Sequence, residues 1–164
     1  MAKVDIKQPI VDEIKEKIDG AKSVVLVDYR GLTVAQDTEL RREARKAGVT
    51  YKVYKNTMVK RAIEGTEFES LSDSLEGPTA VVISKDDATA PARVIAEVAK
   101  KASKLEFKTG VVEGTLYDAK GLETVSKIPS REVLLSKFLG SIQSPITNFA
   151  RVINQVAEQK SAEA

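Results

Sequence analysis

The chain has 164 residues, 42% of them hydrophobic and 30% charged, and a formal net charge of +2, which suits one domain of ordinary size with room for an appendage. It contains no Cys and no His, so a disulfide framework, a thiolate nucleophile, a Ser-His-Asp triad and a zinc site of the usual type are excluded. The N-terminal stretch has no signal-peptide pattern, and no run approaches the roughly 18 apolar residues of a membrane span, so we expect a cytoplasmic protein.

Helix and strand patterns alternate from the start of the chain. Apolar residues recur at helical spacing over residues 9–18, and SVVLVDY (residues 23–29) is a β-branched run typical of a buried strand. Thr33 and Gln36 form a capping-box pair that predicts a helix over about residues 34–47. The side of this helix predicted to be buried holds Val34, Leu40, Ala44 and Ala47.

The next elements are a strand, a short helix and a strand. VTYKVYK (residues 49–55) predicts the second strand, and Asn56 is the predicted N-cap of the helix that follows. The predicted buried side of that helix holds Met58, Ala62 and Ile63. Residues 65–77 form a polar, acidic connection with at most marginal structure, and TAVVIS (residues 79–84) predicts the third strand.

A helix over about residues 89–103 and a strand or hairpin over residues 105–118 complete this region, with a short helix near residues 119–126. The order strand, helix, strand, strand, helix, strand predicts an α+β domain with the split βαβ arrangement of the ferredoxin-like fold and an inserted short helix. We expect the helices on one face of a mainly antiparallel sheet. A doubly wound α/β fold is the weaker alternative, because no long crossover helix separates the second and third strands.

The C-terminal part is almost entirely compatible with a helix over residues 130–159. Pro145, preceded by Gly140 and Ser141, is expected to kink or break this helix. The sequence therefore predicts a first domain over residues 1–129 and a helical extension over residues 130–164.

Charge is unevenly distributed along the chain. Residues 22–61 carry 10 Lys or Arg against 4 Asp or Glu, a local net charge of +6, whereas residues 62–164 have a net charge of −3. The plain explanation of this basic block is a solvated helix face and a strand edge protected by lysines. The mild total charge thus conceals one strongly basic segment, which ends in YKVYKNTMVKR at residues 51–61.

Two basic segments each follow a predicted strand. Arg30 and Gly31 follow the first strand, and Lys55 and Asn56 follow the second. A helix N-terminus attracts phosphate through its unpaired N–H groups, and a Gly lets the backbone approach a partner closely. Phosphate contacts by Lys and Arg position a nucleic acid without reading its sequence. The tyrosines Tyr29, Tyr51 and Tyr54 are available either for stacking on bases or for packing.

The C-terminal extension carries an apolar seam at steps of four, three, four and three residues: Ile142, Ile146, Phe149, Ile153 and Val156. Such a seam packs against its own domain or serves as a docking strip for partner helices. Binding to a membrane surface is the weaker interpretation, because residues 142–164 contain only two cations.

Catalytic patterns are weak throughout. Asp86 and Asp87 could suggest a metal site, but adjacent acids between a strand and a helix are usually solvated caps. No nucleophile, base and orienting group assemble, so we expect neither an enzyme nor a bound cofactor or metal. Two hypotheses from different classes remain open from the residues alone: a small-molecule or nucleotide-binding enzyme on an α/β scaffold and a generic RNA-binding protein.

Several blocks resemble one known family in the right order. DYRGLT and YKVYKNTMVKRA, followed by GPTAVVIS, FKTGVVEG and IPSREVLLSKFLGSIQSPI, are similar to the bacterial family of large-subunit ribosomal protein ten. The match spans nearly the whole chain. Met58 stands where Leu is as common in the family, which is a conservative difference.

This resemblance implies a structural role at the base of the large-subunit stalk. The first domain would bind large-subunit (23S) ribosomal RNA beside ribosomal protein eleven, and the C-terminal helix would carry dimers of the acidic stalk protein seven/twelve, which act on translational GTPases. The implied RNA-binding residues are Arg30, Gly31, Lys55, Asn56, Lys60 and Arg61, with Lys7 and Lys52 as weaker candidates. The implied partner strip is the apolar seam, and its length suits two dimers better than three.

Overall fold

The structure is a computed structural model that describes residues 8–102 and 104–162. It divides into two compact units, Met1–Ile128 and Pro129–Ala164. The helices of the first unit are α1 (Gln8–Ile18), α2 (Val34–Lys46), α3 (Asn56–Ile63), a 3₁₀ helix (Glu69–Ser74), α4 (Ala90–Lys101) and α5 (Ala119–Ser126). Its strands are β1 (Ser23–Asp28), β2 (Thr50–Val53), β3 (Ala80–Ser84), β4 (Glu106–Val112) and β5 (Thr115–Asp118). The second unit contains α6 (Arg131–Ala162).

The five strands form one sheet in the order β2-β3-β1-β4-β5, and every neighbouring pair is antiparallel. The predicted α+β class is therefore confirmed, as a mixed sheet-and-helix unit with a C-terminal helix. The doubly wound alternative is wrong, because its sheet would be parallel. The third and fourth predicted strands are present, and the fourth continues into a hairpin with β5.

Helices cover both faces of the sheet, so the expectation of a single covered face is wrong. Val25 and Val27 of β1 pack in one core cluster with α2, α4 and α5, whereas Val24 and Leu26 pack in another with α1, α3 and the 3₁₀ helix. The physical reason was visible in the strand itself. A continuous run of buried apolar residues, rather than an apolar and polar alternation, is what a strand buried on both sides requires.

The capping box of α2 is confirmed, since the Thr33 hydroxyl accepts from the Gln36 N–H and the Gln36 side chain accepts from the Thr33 N–H. The predicted burial of Val34 is wrong, because this residue is 86% exposed. Val34 precedes the buried Leu40 by six residues, which places it roughly 120° away around the helix. Ala47 is also exposed, since it is the C-cap beyond the last turn.

The connection between α3 and β3 has more structure than its polar composition predicted. It forms the 3₁₀ helix and buries three apolar side chains, Phe68, Leu71 and Leu75, against the sheet. In α3 itself the buried residues are Val59, Ala62 and Ile63, and Met58 is only partly buried. Full burial of a Leu, Ile or Phe is worth roughly 1.5–3 kcal/mol, which is enough to order a segment rich in Ser, Glu and Asp.

Helix α6 runs through Pro145 as one helix of 32 residues, so the predicted break is absent. A proline inside a helix removes one backbone hydrogen bond and crowds the preceding turn. The turns on either side retain their own hydrogen bonds, and the helix continues through the site.

Candidate nucleic-acid interface

Two strand ends lie at one edge of the sheet. Val27 of β1, Ala80 of β3 and Val53 of β2 are in register across three neighbouring strands. The carboxyl ends of β1 and β2 therefore lie on the two sides of β3, roughly 10 Å apart at the strand spacing of a sheet. Residues 30–31 follow β1 and residues 55–56 follow β2, so both basic segments leave the sheet at this edge, which we call the basic corner.

Helix α3 begins at the basic corner with Lys55 as its N-cap. The backbone of Lys55 is extended (φ −73°, ψ 127°), and its carbonyl accepts from the N–H groups of Met58 and Val59 at 2.8 and 3.2 Å. The N–H groups of Asn56 and Thr57 belong to the first turn and have no partner within the helix. This end of the helix therefore presents two backbone donors and the positive end of the helix dipole.

Asn56 is the first residue of α3, so the prediction that it is the N-cap is wrong by one position. Its side-chain amide donates instead to the carbonyl of Gly77, at 2.7 Å, in the loop before β3. The amide is thus occupied in fixing the loop to the helix.

Three cations of α3 and its cap remain free of carboxylates. Lys55 and Arg61 are exposed and Lys60 is partly buried. Over the residues that the structure describes, none of the three forms an ion pair. One shallow depression is lined by Lys55, Arg61, Val11, Thr57 and Met58. Lys55 and Arg61 therefore face the same patch of surface, and their charge is available to an anionic partner.

Arg30 lies across β3 from this helix and is held by a carboxylate. Its side chain is 72% exposed and pairs with Asp28 at 3.1 Å, while its backbone N–H donates to the same carboxylate at 2.9 Å. Burial alone would raise the pKa of Asp28, but the hydrogen bonds from Arg30 outweigh it and hold that pKa below its ordinary value. Arg30 is thus oriented, with part of its charge offset.

Gly31 lies at the same turn, at a position where a residue with a Cβ would be strained. Its φ of 78° lies in the left-handed region, and a Cβ built on it would stand 2.5 Å from Cδ of Lys104. Any side chain here would be strained and would push Lys104 away.

The two weaker candidates differ in status. Lys7 lies outside the described residues. Lys52 is bound to Glu13 at 2.8 Å, and Lys17 and the Tyr54 hydroxyl donate to the same carboxylate oxygen. Hydrogen bonds from Lys17 and then Lys52 lower the pKa of Glu13 to about 2. Lys52 is therefore less available to a partner than Lys55.

Two of the four cations on the basic face of α2 are balanced by neighbouring acids, whereas Arg42 and Arg45 form no ion pair with the described residues. Arg41 pairs with Asp37 at 2.8 Å and Lys46 pairs with Glu43 at 2.7 Å. Exposed pairs of this kind contribute little to stability, but they do reduce the local positive potential. The plain explanation, a solvated helix face, therefore suits α2 better than it suits the basic corner.

Packing accounts for two of the three candidate tyrosines. Tyr51 and Tyr54 are each only 9% exposed and belong to the two core clusters. Burial is the main reason that the pKa of Tyr51 rises to about 12. Tyr29 is half-buried and lines a shallow cleft with Asn56 and Pro78, so it is the tyrosine best placed for contact with a partner.

Sequence reasoning missed Lys108, which lies at a bulge in β4. Its Nζ donates to the carbonyls of Glu76 and Pro78 at 2.6 and 2.8 Å and to the Thr79 hydroxyl at 2.9 Å. The loop that receives these bonds is the one fixed by Asn56. The only signal in the sequence was a lysine in the middle of the predicted strand EFKTGVV, which indicates a partnered or bent position but not its partner.

The seam of α6 is exposed along its length. Its five residues, Ile142, Ile146, Phe149, Ile153 and Val156, are between 47% and 73% exposed. Further exposed apolar residues extend the strip towards the start of the helix, namely Val133, Leu134, Leu135, Phe138 and Leu139, with Val152 beside it. Helix α6 is the one element described in its unit, so that unit offers no other element to cover the strip.

Six residues of the strip form two similar blocks. The first block is Leu135, Phe138 and Ile142, and the second block is Ile146, Phe149 and Ile153. Corresponding members are 11 residues apart, which is three helical turns at about 3.67 residues per turn, so both blocks lie on nearly the same side of the helix. Their centres are separated by roughly 16 Å along the axis.

The described residues contain no group of three or more Asp or Glu side chains that could hold a metal ion. No helix among them is both long and apolar enough to cross a membrane, α6 included.

Comparisons with known proteins agree along nearly the whole chain. The family described as ribosomal protein L10 matches residues 3–100, and that described as the ribosomal protein uL10 C-terminal region matches residues 128–164. The chain is 50% identical to the large ribosomal subunit protein uL10 of Staphylococcus haemolyticus over 161 residues, covering 98% of this chain and 97% of the relative. It is 46% identical to the protein of the same name from Bacillus licheniformis over 157 residues, covering 96% and 95%. The chain therefore belongs to the uL10 family of large-subunit ribosomal proteins, which are structural proteins and not enzymes.

Proposed function

We propose that the chain forms the base of the large-subunit stalk, with the domain of residues 1–129 bound to 23S ribosomal RNA and the extension of residues 130–164 carrying two dimers of the acidic stalk protein seven/twelve. Ribosomal protein eleven would be its neighbour, and translational GTPases would be recruited only indirectly, through the dimers. The proposed RNA-binding residues are Arg30, Gly31, Lys55, Asn56, Lys60 and Arg61, with Lys7 and Lys52 contributing less.

The start of α3 is the observation that carries the RNA half of the proposal. Free backbone donors, the positive helix end and the unpaired Lys55 occur together there, and Arg61, from the last turn of α3, lines the same depression as Lys55. Each feature favours a phosphate oxygen, and their combination suits an RNA backbone. Arg30, oriented by Asp28 on the other side of β3, would supply a second point of contact and so fix the direction of the RNA.

The exposed strip of α6 supports the stalk half. A continuous apolar strip on a single helix is costly in water unless partners cover it. Two blocks on one side of the helix support two partner dimers, one for each block, and their polar surroundings favour a protein partner over a lipid surface.

The arrangement of the first unit also supports the finer fold assignment, a ferredoxin-like domain. Strands β1 to β4 alternate with α2 and α4 in the expected order, and the sheet order β2-β3-β1-β4 is antiparallel throughout. Helix α3 and the 3₁₀ helix occupy the place of the hairpin turn between the second and third strands.

A salt series with an RNA fragment from the stalk base tests the RNA half. Phosphate anchoring predicts that the logarithm of the binding constant falls linearly with the logarithm of salt concentration, at nearly one unit of slope per neutralised phosphate of a duplex. An affinity that is insensitive to salt would count against the proposal. Light scattering on the complex with stalk dimers tests the other half, with two dimers per chain as the expected result.

A further inference from the structure

The side-chain amine of Lys108 is fully hydrogen-bonded within the protein. Its amine has three donors, and three oxygen atoms of residues 76–79 accept them at 2.6 to 2.9 Å. The bulge in β4 lets its side chain leave the regular alternation of the strand, which is how bulges re-aim side chains beside functional sites. With its donors occupied, Lys108 has little capacity left to bind a phosphate directly.

The loop that Lys108 holds is joined to the start of α3. Gly77 lies within it, with a φ of 66° that a side chain would strain, and its carbonyl accepts from the Asn56 amide at 2.7 Å. Lys108 is thereby linked to the segment that follows β2.

We propose that Lys108 is a positioning residue of the basic corner, which sets the geometry of the phosphate-binding groups without touching the RNA. Its amine fixes the loop of residues 76–79, the loop fixes Asn56, and Asn56 sets where the first turn of α3 presents its free N–H groups and Lys55. The inference rests on the proposed RNA-binding function, which supplies the ligand.

The replacement Lys108→Met in the full chain tests this role, because it keeps the length of the side chain and removes its donors. We expect the affinity for the stalk-base RNA fragment to fall roughly tenfold, while the salt slope stays that of the wild type, since no phosphate contact is lost. Lys120→Met, at an exposed lysine of α5, is the matched control and should change neither quantity. An unchanged affinity in Lys108→Met, or a slope reduced by about one unit, would overturn the proposal.

Asn56→Ala provides a second variant in case Lys108→Met folds poorly. Because Asn56 and Lys108 act through the same loop, their effects on RNA affinity should be strongly non-additive in the double variant. Fully additive effects would mean that the two residues act independently and would contradict the inference.

Hydrogen exchange in the free protein tests the positioning role of Lys108 without RNA, and therefore separately from the proposed RNA-binding function. Lys108→Met should speed exchange at the amides of Met58 and Val59, which donate to the Lys55 carbonyl, and leave the amides of α5 unchanged. If the wild type binds no RNA, the proposed function fails while this measurement still decides the positioning role. Unchanged exchange at α3 would refute that role whatever the RNA result.

Discussion

The two units of the molecule treat their apolar residues in opposite ways. In the first unit Leu26, Ile14 and Ile95 are fully buried, and helices cover both faces of the sheet. In the second unit the apolar residues of α6 are exposed, Ile146 by 73% and Phe149 by 69%. The same residue types therefore serve a core in one unit and a surface in the other.

The charges differ in the same way. Among its described residues, the first unit has three unpaired cations at the basic corner, where polar interactions with a partner would dominate. Helix α6 offers a partner mainly apolar area. A charged contact weakens with salt and an apolar contact does not, so the two halves of the proposed function can be separated experimentally.

Truncation of α6 should have the largest effect. Removal of all residues after Ser130 should abolish binding of stalk dimers, and removal of all residues after Ser144 should reduce the stoichiometry from two dimers to one, because only the first block remains. Light scattering of the purified complexes measures both. RNA affinity should be unchanged in both truncated chains. Two dimers retained by the chain that ends at Ser144 would contradict the assignment of the blocks.

Matched core and surface substitutions should separate the two units by stability. Leu26→Ala should lower the free energy of unfolding by about 2–5 kcal/mol, because it leaves a cavity in the sheet core. Ile146→Ala should change it by less than about 0.5 kcal/mol, since that side chain is exposed. Tyrosine fluorescence during urea unfolding suits the test, because all four tyrosines lie in the first unit. Equal losses in both variants would show that α6 is part of the same core.

Removal of single charges at the basic corner should have a moderate effect. Lys55→Ala and Arg61→Ala should each weaken RNA binding and reduce the salt slope by roughly one unit, as expected for the loss of one phosphate contact. Lys85→Ala is the control, because Lys85 follows β3 at the opposite edge of the sheet. If the control weakens binding as much as the two variants, the site lies elsewhere.

The smallest expected effect concerns Glu13 and pH. Its pKa is about 2 in the folded chain against an ordinary 4.5, so its contribution to stability is present above pH 4.5 and is lost as the pH falls towards 2. The stability of the Glu13→Gln variant should therefore fall less than that of the wild type between pH 4.5 and pH 2. Melting temperatures across the range measure the difference, and parallel curves for the two proteins would show that the lysine contacts are not maintained in solution.

Local patterns predicted most of the elements. The run of Val and Leu in β1, the capping box at Thr33 and the helix predicted near residues 119–126 all rest on interactions between near neighbours in the chain. The side chains that were misplaced depend on distant partners. Asn56 was expected to cap its own helix, but the carbonyl of Gly77, 21 residues away, accepts its amide.

The sequence predicted where the basic corner lies, but not the contacts that hold the side chains around it in place. The sequence indicated the basic corner, because Lys and Arg followed two predicted strands of one sheet. It could not show that Lys52 is bound to Glu13 or that Lys108 holds the loop of residues 76–79, since these contacts span 39 residues and about 30 residues of chain. Ion pairs between distant segments follow from the register of the strands, which no local pattern specifies.

The assembled complex of the chain with stalk-base RNA and stalk dimers, followed through a salt series, tests the central claim most directly. RNA binding should weaken steeply with salt, because it depends on phosphate neutralisation, while two dimers should remain on α6 at every salt concentration. If RNA and dimers are lost together, or if RNA binding is indifferent to salt, the division of labour between the two units is contradicted.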